Sequence, residues 1–186
     1  MRIKEKECIL NDGRKVVLRS PEPQDAQTVL DYLKQTAGET RFLVRYPEEC
    51  RCQIEAEEKF LESVCQDEKN IMMGAFVDGK MIANSSLMGK GGHIKYRHRA
   101  SFGIAIVEEY WNSGLGTLLT KEILEYAQKA GFEQVELGVY EDNLRAIHLY
   151  EKLGFQKYGI IPRAFKLKDD TYRDEVQMIY YCNPVT

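Results

Sequence analysis

Apolar and polar positions follow two different periods along this chain, and the switches between them mark its elements. Ser101-Phe102-Gly103-Ile104-Ala105-Ile106-Val107 is a short, mostly apolar run bounded by polar segments, which predicts a strand. Leu115, Leu118, Leu119, Ile123, Leu124 and Tyr126 then recur near every 3.6 residues, predicting a helix from about Gly114 to Ala130. Gln134 to Tyr140 predicts the next strand. Asn143 to Leu153 predicts a shorter helix, capped by its Asn and stopped by Gly154. Strand, Gly-bearing turn, helix, strand and helix form the centre of the chain.

The flanks read as hairpins and two helices. Glu5–Leu10 and Lys15–Arg19 pair around Asp12-Gly13, and Asn70–Val77 and Met81–Met88 pair around Asp78-Gly79. A first helix is expected from Pro23 to Gln35, with Ala26, Val29, Leu30 and Leu33 inward and Gly38 as its end. A second is expected from Gln53 to Cys65, with Ala56, Phe60, Leu61 and Val64 buried. After Phe155, Gln156–Lys168 and Tyr172–Tyr181 form a last hairpin around Asp169-Asp170, with Val176, Met178 and Tyr180 on one face of its second strand. No repeat, linker or low-complexity tract interrupts the chain, so residues 1–186 are expected to form a single domain.

Composition narrows the class. The 186 residues carry 44% hydrophobic and 30% charged side chains, ordinary for a globular protein, with a net charge of −3. That balance argues against a general nucleic-acid binder. The local basic run Lys90, Lys95, Arg97 and Arg99, with His93 and His98, reads as a solvated loop. Five scattered cysteines, Cys8, Cys50, Cys52, Cys65 and Cys182, do not form a disulfide framework, and Cys50-x-Cys52 lacks a second ligand pair for zinc, so no metal is expected. No apolar run approaches membrane-spanning length and Met-Arg-Ile-Lys-Glu-Lys-Glu is no leader, so a cytoplasmic location is the expectation.

Two patterns carry candidate chemistry. Trp111-Asn112-Ser113-Gly114-Leu115-Gly116-Thr117 places two glycines where a helix begins. First-turn amides and the helix dipole can seat phosphate oxygens there; the same glycines could serve turn geometry alone. Asn143, Ile147 and Tyr150 share a helical face, since about two turns separate the first from the last. That face offers an amide and a phenol; equally, it could be a cap and a core tyrosine bonded to backbone. A dinucleotide fingerprint would need a third glycine where Leu119 stands.

These patterns resemble the GNAT superfamily of acyl-CoA-dependent N-acyltransferases. The family's Gln/Arg-x-x-Gly-x-Gly/Ala motif appears as Trp111 to Gly116, with Trp111 in place of the usual Gln or Arg and Ser113 where a basic residue is common. Its following motif appears as Asn143-Leu144-Arg145-Ala146-Ile147-His148-Leu149-Tyr150-Glu151-Lys152-Leu153-Gly154-Phe155. The likeness is firmest over 97–181. It implies an α/β (α+β) fold: a mixed, mostly antiparallel sheet, splayed between its two central strands, with about four helices on its faces. The C-terminal stretch Phe165 to Met178 resembles a bacterial subgroup acting on small amines, amino acids or protein N-termini.

The resemblance implies acetyl-CoA as acyl donor and direct attack by a primary amine. Main chain near Ile104, Ile106 and Val107 would pair with the pantetheine arm, and an N–H near Ile106 could polarise the thioester. Asn112, Ser113, Gly114, Leu115, Gly116 and Thr117 would surround the pyrophosphate, with Asn143 beside it. Tyr150 would be general acid to the leaving thiolate. The base is left open among Glu136, Glu108, Glu109 and His98, with His148 turned away. Phe42 and Tyr46 could wall the acceptor, with Glu48 or Glu49 attracting its ammonium; they could also belong to a plain surface loop. A small amine or peptide N-terminus would be the acceptor, and the family analogy allows a homodimer through the C-terminal hairpin. The competing class is a non-catalytic acyl-CoA-binding sensor.

Overall fold

Ile71 to Phe76 are all buried, so this strand has core on both faces, and a continuous apolar run is what such a strand requires. The computed structural model describes residues 2–182. Its strands are β1 (Lys6–Ile9), β2 (Lys15–Arg19), β3 (Ile71–Val77), β4 (Lys80–Gly89), β5 (Arg99–Ile106), β6 (Gln134–Tyr140), β7 (Gln156–Lys166) and β8 (Tyr172–Tyr181). Its helices are α1 (Ala26–Glu39), α2 (Ile54–Gln66), α3 (Leu115–Lys129) and α4 (Leu144–Lys152), with short 3-10 turns at Pro23–Asp25, Pro47–Glu49 and Glu108–Tyr110. The strand order is β1-β2-β3-β4-β5-β6-β8-β7. The pairs β1/β2, β2/β3, β3/β4, β6/β8 and β7/β8 run antiparallel, whereas β5 and β6 pair in parallel at Arg99↔Gln134, Ala100↔Val135 and Ser101↔Glu136. β5 continues to Ile106 and β6 to Tyr140 beyond that register. The expected mixed, mostly antiparallel α/β architecture with four α-helices is thus present.

The chain divides into two compact units. The first holds the chain up to Met88 together with Gly103–Ile123. Its core gathers Val16 and Leu18 of β2, Val29 and Tyr32 of α1, Leu61 of α2, β3, and Leu115, Leu119 and Ile123 of α3. The second holds Gly89–Phe102 and the chain from Leu124 on. Its core includes an aromatic cluster: Phe102 meets Tyr150 edge-on with ring centroids 6.1 Å apart, and Phe155 lies 5.6 Å from Tyr150 and 5.5 Å from Tyr180. Such edge-on and tilted pairs suit the ring quadrupoles.

Two expectations about the helices need correction. Gly38 does not end α1, which runs through it to Glu39 and stops where Thr40 turns extended. Glycine weakens a helix without breaking it, and α1 is held by its packing on α2. In α2 the buried stripe is Glu57, Leu61 and Val64, whereas Ala56 and Phe60 are exposed. Leu61 and Val64 lie inside as expected, but hydrophobicity alone puts Ala56 and Phe60 on the buried face in place of Glu57.

Candidate functional site

The turn before α3 takes its shape from backbone that few residues tolerate. Asn112 has φ 62° and Gly114 φ 88°. At Gly114 a side chain would also lack room, since a Cβ would lie 2.6 Å from Asn11 Nδ2. Asn11 donates its main-chain N–H to the Ser113 carbonyl at 3.0 Å, so the first hairpin braces the turn. Ser113 is 3% exposed, and its hydroxyl donates to Tyr110 O at 2.7 Å and accepts from Leu115 N at 3.4 Å. Its side chain therefore holds the turn's shape. Leu118 N begins the intrahelical ladder on Gly114 O. The amides of Gly116 and Thr117 have no acceptor among the described residues, and both residues are half-exposed. Two unpaired amides at the positive end of a 15-residue helix are open to an anion.

The same unit ties the end of β5 in four places. Val107 N donates to Ile82 O of β4 at 2.9 Å, and Val107 is 3% exposed, so neither its amide nor its side chain is free for a ligand. Trp111 Nε1 donates to Ile106 O at 2.8 Å. Tyr32 of α1 donates its hydroxyl to Ala105 O at 2.8 Å. Glu39 accepts from Glu108 N at 2.7 Å. Because main-chain groups alternate along a strand, those of Ile104 and Ile106 face the edge of β5 opposite to Ala105 and Val107. Glu108 and Glu109 are exposed on the following turn, Glu109 facing Arg14 at 3.4 Å.

In the second unit, Asn143 caps α4 by accepting from Ala146 N at 3.3 Å, and Ile147 and Tyr150 are buried on the same face. His148 is exposed. Tyr150 is 7% exposed, and burial pushes its phenol above the ordinary pKa of 10. Its hydroxyl has no hydrogen-bond partner among the described residues, so the expected alternative of a backbone-bonded core tyrosine is not what the structure shows. The proton stays on this oxygen at neutral pH.

Glu136, one of the candidate bases, is instead an ion-pair centre. Arg99 Nη2 lies 2.8 Å and Lys90 Nζ 2.7 Å from its Oε2, and its side chain is 4% exposed. Burial alone would raise its pKa, but hydrogen bonds from Arg99, Lys90 and Gln134 outweigh that and bring it down to about 2. A carboxylate that acidic is a poor proton acceptor near pH 7. Lys90 and Arg99 of the basic run are thereby committed to Glu136.

The proposed acceptor segment gives a mixed result. Phe42 and Tyr46 are half-buried, while Glu49 Oε2 accepts from Tyr46 N at 2.8 Å and so closes its own turn. An open cleft of about 410 Å³ lies between α1 and α2, lined by residues including Leu30, Asp31, Lys34, Cys50, Cys52 and Ile54. None of Phe42, Tyr46, Glu48 or Glu49 lines it. Tyr32, Glu39 and Asn11 escaped the sequence reading. Only Tyr32 had a signal, a hydroxyl on the buried face of an amphipathic helix, which must find a partner.

Comparison with known proteins bears on the family and the fold. The Acetyltransferase (GNAT) family matches residues 39–155. An N-alpha-acetyltransferase 30 of Schizosaccharomyces pombe is 34% identical over 70 residues, 38% of this chain and 47% of that protein. An L-amino acid N-acetyltransferase of Escherichia coli is 32% identical over 82 residues, 44% of this chain and 50% of that protein. The matches thus span about half the length of these curated relatives. Among solved structures, a GNAT-family acetyltransferase from Streptococcus pneumoniae superposes with TM-score 0.85 at 29% identity, covering 89% of this chain and 99% of that one. A structure from Salmonella typhimurium described as a putative acetyltransferase with its cofactor acetyl-CoA superposes with TM-score 0.78 at 15% identity, covering 92% and 96%, a likeness of fold.

Proposed function

The chain belongs to the acetyltransferase (GNAT) family, and from that premise we propose that it transfers an acetyl group from acetyl-CoA to a primary amine. The observation that carries this reading is the pair of unpartnered amides, Gly116 N and Thr117 N, opening α3 behind a turn that holds Asn112 and Gly114 at positive φ. In this reading these amides hold the pyrophosphate of the donor. The edge of β5 carrying Ile104 and Ile106 pairs with the pantetheine amides, as an added strand pairs with a sheet. Asn143 keeps its side-chain amide for the cofactor while its oxygen caps α4.

The acceptor amine attacks as the free base. Its nitrogen forms a bond to the thioester carbon, and the carbonyl oxygen takes up negative charge beside the Ile106 N–H. The C–S bond then breaks, the nitrogen yields its proton to solvent or a base, and Tyr150 gives its phenolic proton to the departing thiolate. The neutral, unpaired hydroxyl of Tyr150 supports that role. Glu136 is not the base, for the reason given above.

The relatives named for N-alpha-acetyl and L-amino acid transfer support an α-amino group, free or on a peptide, as acceptor. Residues 1–186 are proposed to act as one catalytic domain, a reading supported by the single family match over residues 39–155. A homodimer through the C-terminal hairpin is proposed as well. β7 ends the strand order and exposes Tyr158, Ile160 and Ile161, a surface that pairing with a second copy would cover. We place the protein in the cytoplasm, where its five free thiols stay reduced. No helix among the described residues is long and apolar enough to cross a membrane.

A crystal structure with CoA, together with amine-dependent release of free CoA thiol from acetyl-CoA, tests the reading. Pyrophosphate on Gly116 and Thr117 with thiol release supports it. Binding without release for any amine in a broad panel makes the protein an acyl-CoA sensor instead.

A further inference from the structure

The hydroxyl of Tyr32 occupies an unusual place. Val107 N bonds to Ile82 O at 2.9 Å, and Gly103 lies against Ser86, whose Oγ would be 3.5 Å from a Cβ there. This antiparallel register sets Asn84 opposite Ala105, a pair that would ordinarily exchange direct main-chain hydrogen bonds. Instead, Asn84 N donates to the Tyr32 hydroxyl at 3.1 Å, and that hydroxyl donates to Ala105 O at 2.8 Å. A side-chain oxygen thus stands between two strands where one bond of about 2.9 Å would otherwise close the gap. It acts as donor and acceptor at once, and Tyr32 is only 2% exposed.

We propose that Tyr32 is a positioning residue for the acyl donor: its hydroxyl, inserted between β4 and β5, sets where the Ile104–Ile106 edge of β5 lies. The inference rests on the reading that this edge receives acetyl-CoA. Ala105 sits between the two residues whose main-chain groups face that edge, so wedging Ala105 away from β4 advances both of them. Without the hydroxyl, Asn84 N–H and Ala105 C=O are either left unpaired in the core or close on each other, drawing the edge back. Either outcome moves the Ile106 N–H relative to the thioester, while the turn before the α3 amides keeps its brace from Asn11.

The test separates chemistry from binding and from folding. Tyr32→Phe is expected to lower kcat about ten- to hundredfold, the cost of a small misplacement at a reacting centre. Its Kd for CoA is expected to rise by a smaller factor than kcat falls, because the pyrophosphate grip is kept while only the pantetheine pairing along Ile104–Ile106 shifts. Thr36→Val is the control. It removes another buried α1 hydroxyl, bonded to Tyr32 O at 2.9 Å, and is expected to lower Tm but keep kcat within about twofold. Incorporating 4-aminophenylalanine at position 32 restores a donor and is expected to recover most of kcat. It also serves if the Phe variant fails to fold, in which case a large loss of kcat in this variant overturns the proposal. An unchanged kcat in Tyr32→Phe, or an equal loss in Thr36→Val, overturns it too. A CoA complex with pantetheine away from Ile104–Ile106 would defeat the underlying reading; pantetheine on that edge with unchanged Tyr32→Phe kinetics would defeat this inference alone.

Discussion

Trp111 and Ile106 are joined by a hydrogen bond, the indole Nε1 donating to the main-chain carbonyl at 2.8 Å. The last residue of β5 and the turn that opens α3 are therefore one connected piece. This gives a physical role to the residue that departs from the family's usual Gln or Arg. Trp111→Phe removes the donor and keeps an aromatic ring. Acetyl-CoA affinity is expected to fall about tenfold, the effect of one lost hydrogen bond near 1.4 kcal/mol, as read by titration calorimetry.

Gly114→Ala tests the turn itself. Its φ of 88° is strained for any residue with a Cβ, and that atom would fall 2.6 Å from Asn11 Nδ2. A loss of about 1–3 kcal/mol in stability is expected by urea denaturation. Weaker CoA binding should accompany it, since the amides of Gly116 and Thr117 follow directly. Asn11→Ala, which clears the space, is expected to return part of the stability of Gly114→Ala.

Tyr150→Phe tests the general acid. Because the phenol has no hydrogen-bond partner among the described residues, its removal breaks no bond of the resting protein, and Tm should barely change. The expected loss in kcat is the 10²- to 10⁴-fold typical of acid–base groups, with CoA affinity retained. An undiminished kcat would remove Tyr150 from the mechanism.

The ion pair at Glu136 predicts a pH signature. Its folded pKa of about 2 lies below the ordinary 4.5, so the carboxylate form is favoured by folding. A depressed carboxylate contributes stability that is fully present above its unfolded pKa and is lost as pH falls through the folded value. Stability should therefore drop between pH 4.5 and 2, by an amount on the order of 3 kcal/mol. In Glu136→Gln this part of the acid slope should disappear from the unfolding profile. At neutral pH and below its melting temperature, that variant should keep kcat, since Glu136 is no base.

Element types were legible because each depends on local periodicity. The apolar alternation of β6 and the 3.6-residue repeat of α3 and α4 are written in consecutive residues, and α4 has its start signal in the capping side chain of Asn143 and its stop signal in the backbone of Gly154. The α2 face was not legible in this way. Phe60 is the more apolar residue, yet Glu57 is buried, because the face of a helix is chosen by what packs on it.

The sequence by itself determined the order of strands and helices, the glycine that the α3 turn requires, and the motif that marks the family. These follow from residue-by-residue preferences acting over a few positions. Only the tertiary structure decided that Glu136 is pinned by Arg99 and Lys90, that Trp111 reaches Ile106, and that Tyr32 stands between Asn84 and Ala105. Partners such as these lie far apart in the chain, and a side chain's charge, acidity and free valence depend on which neighbours folding brings within hydrogen-bonding distance.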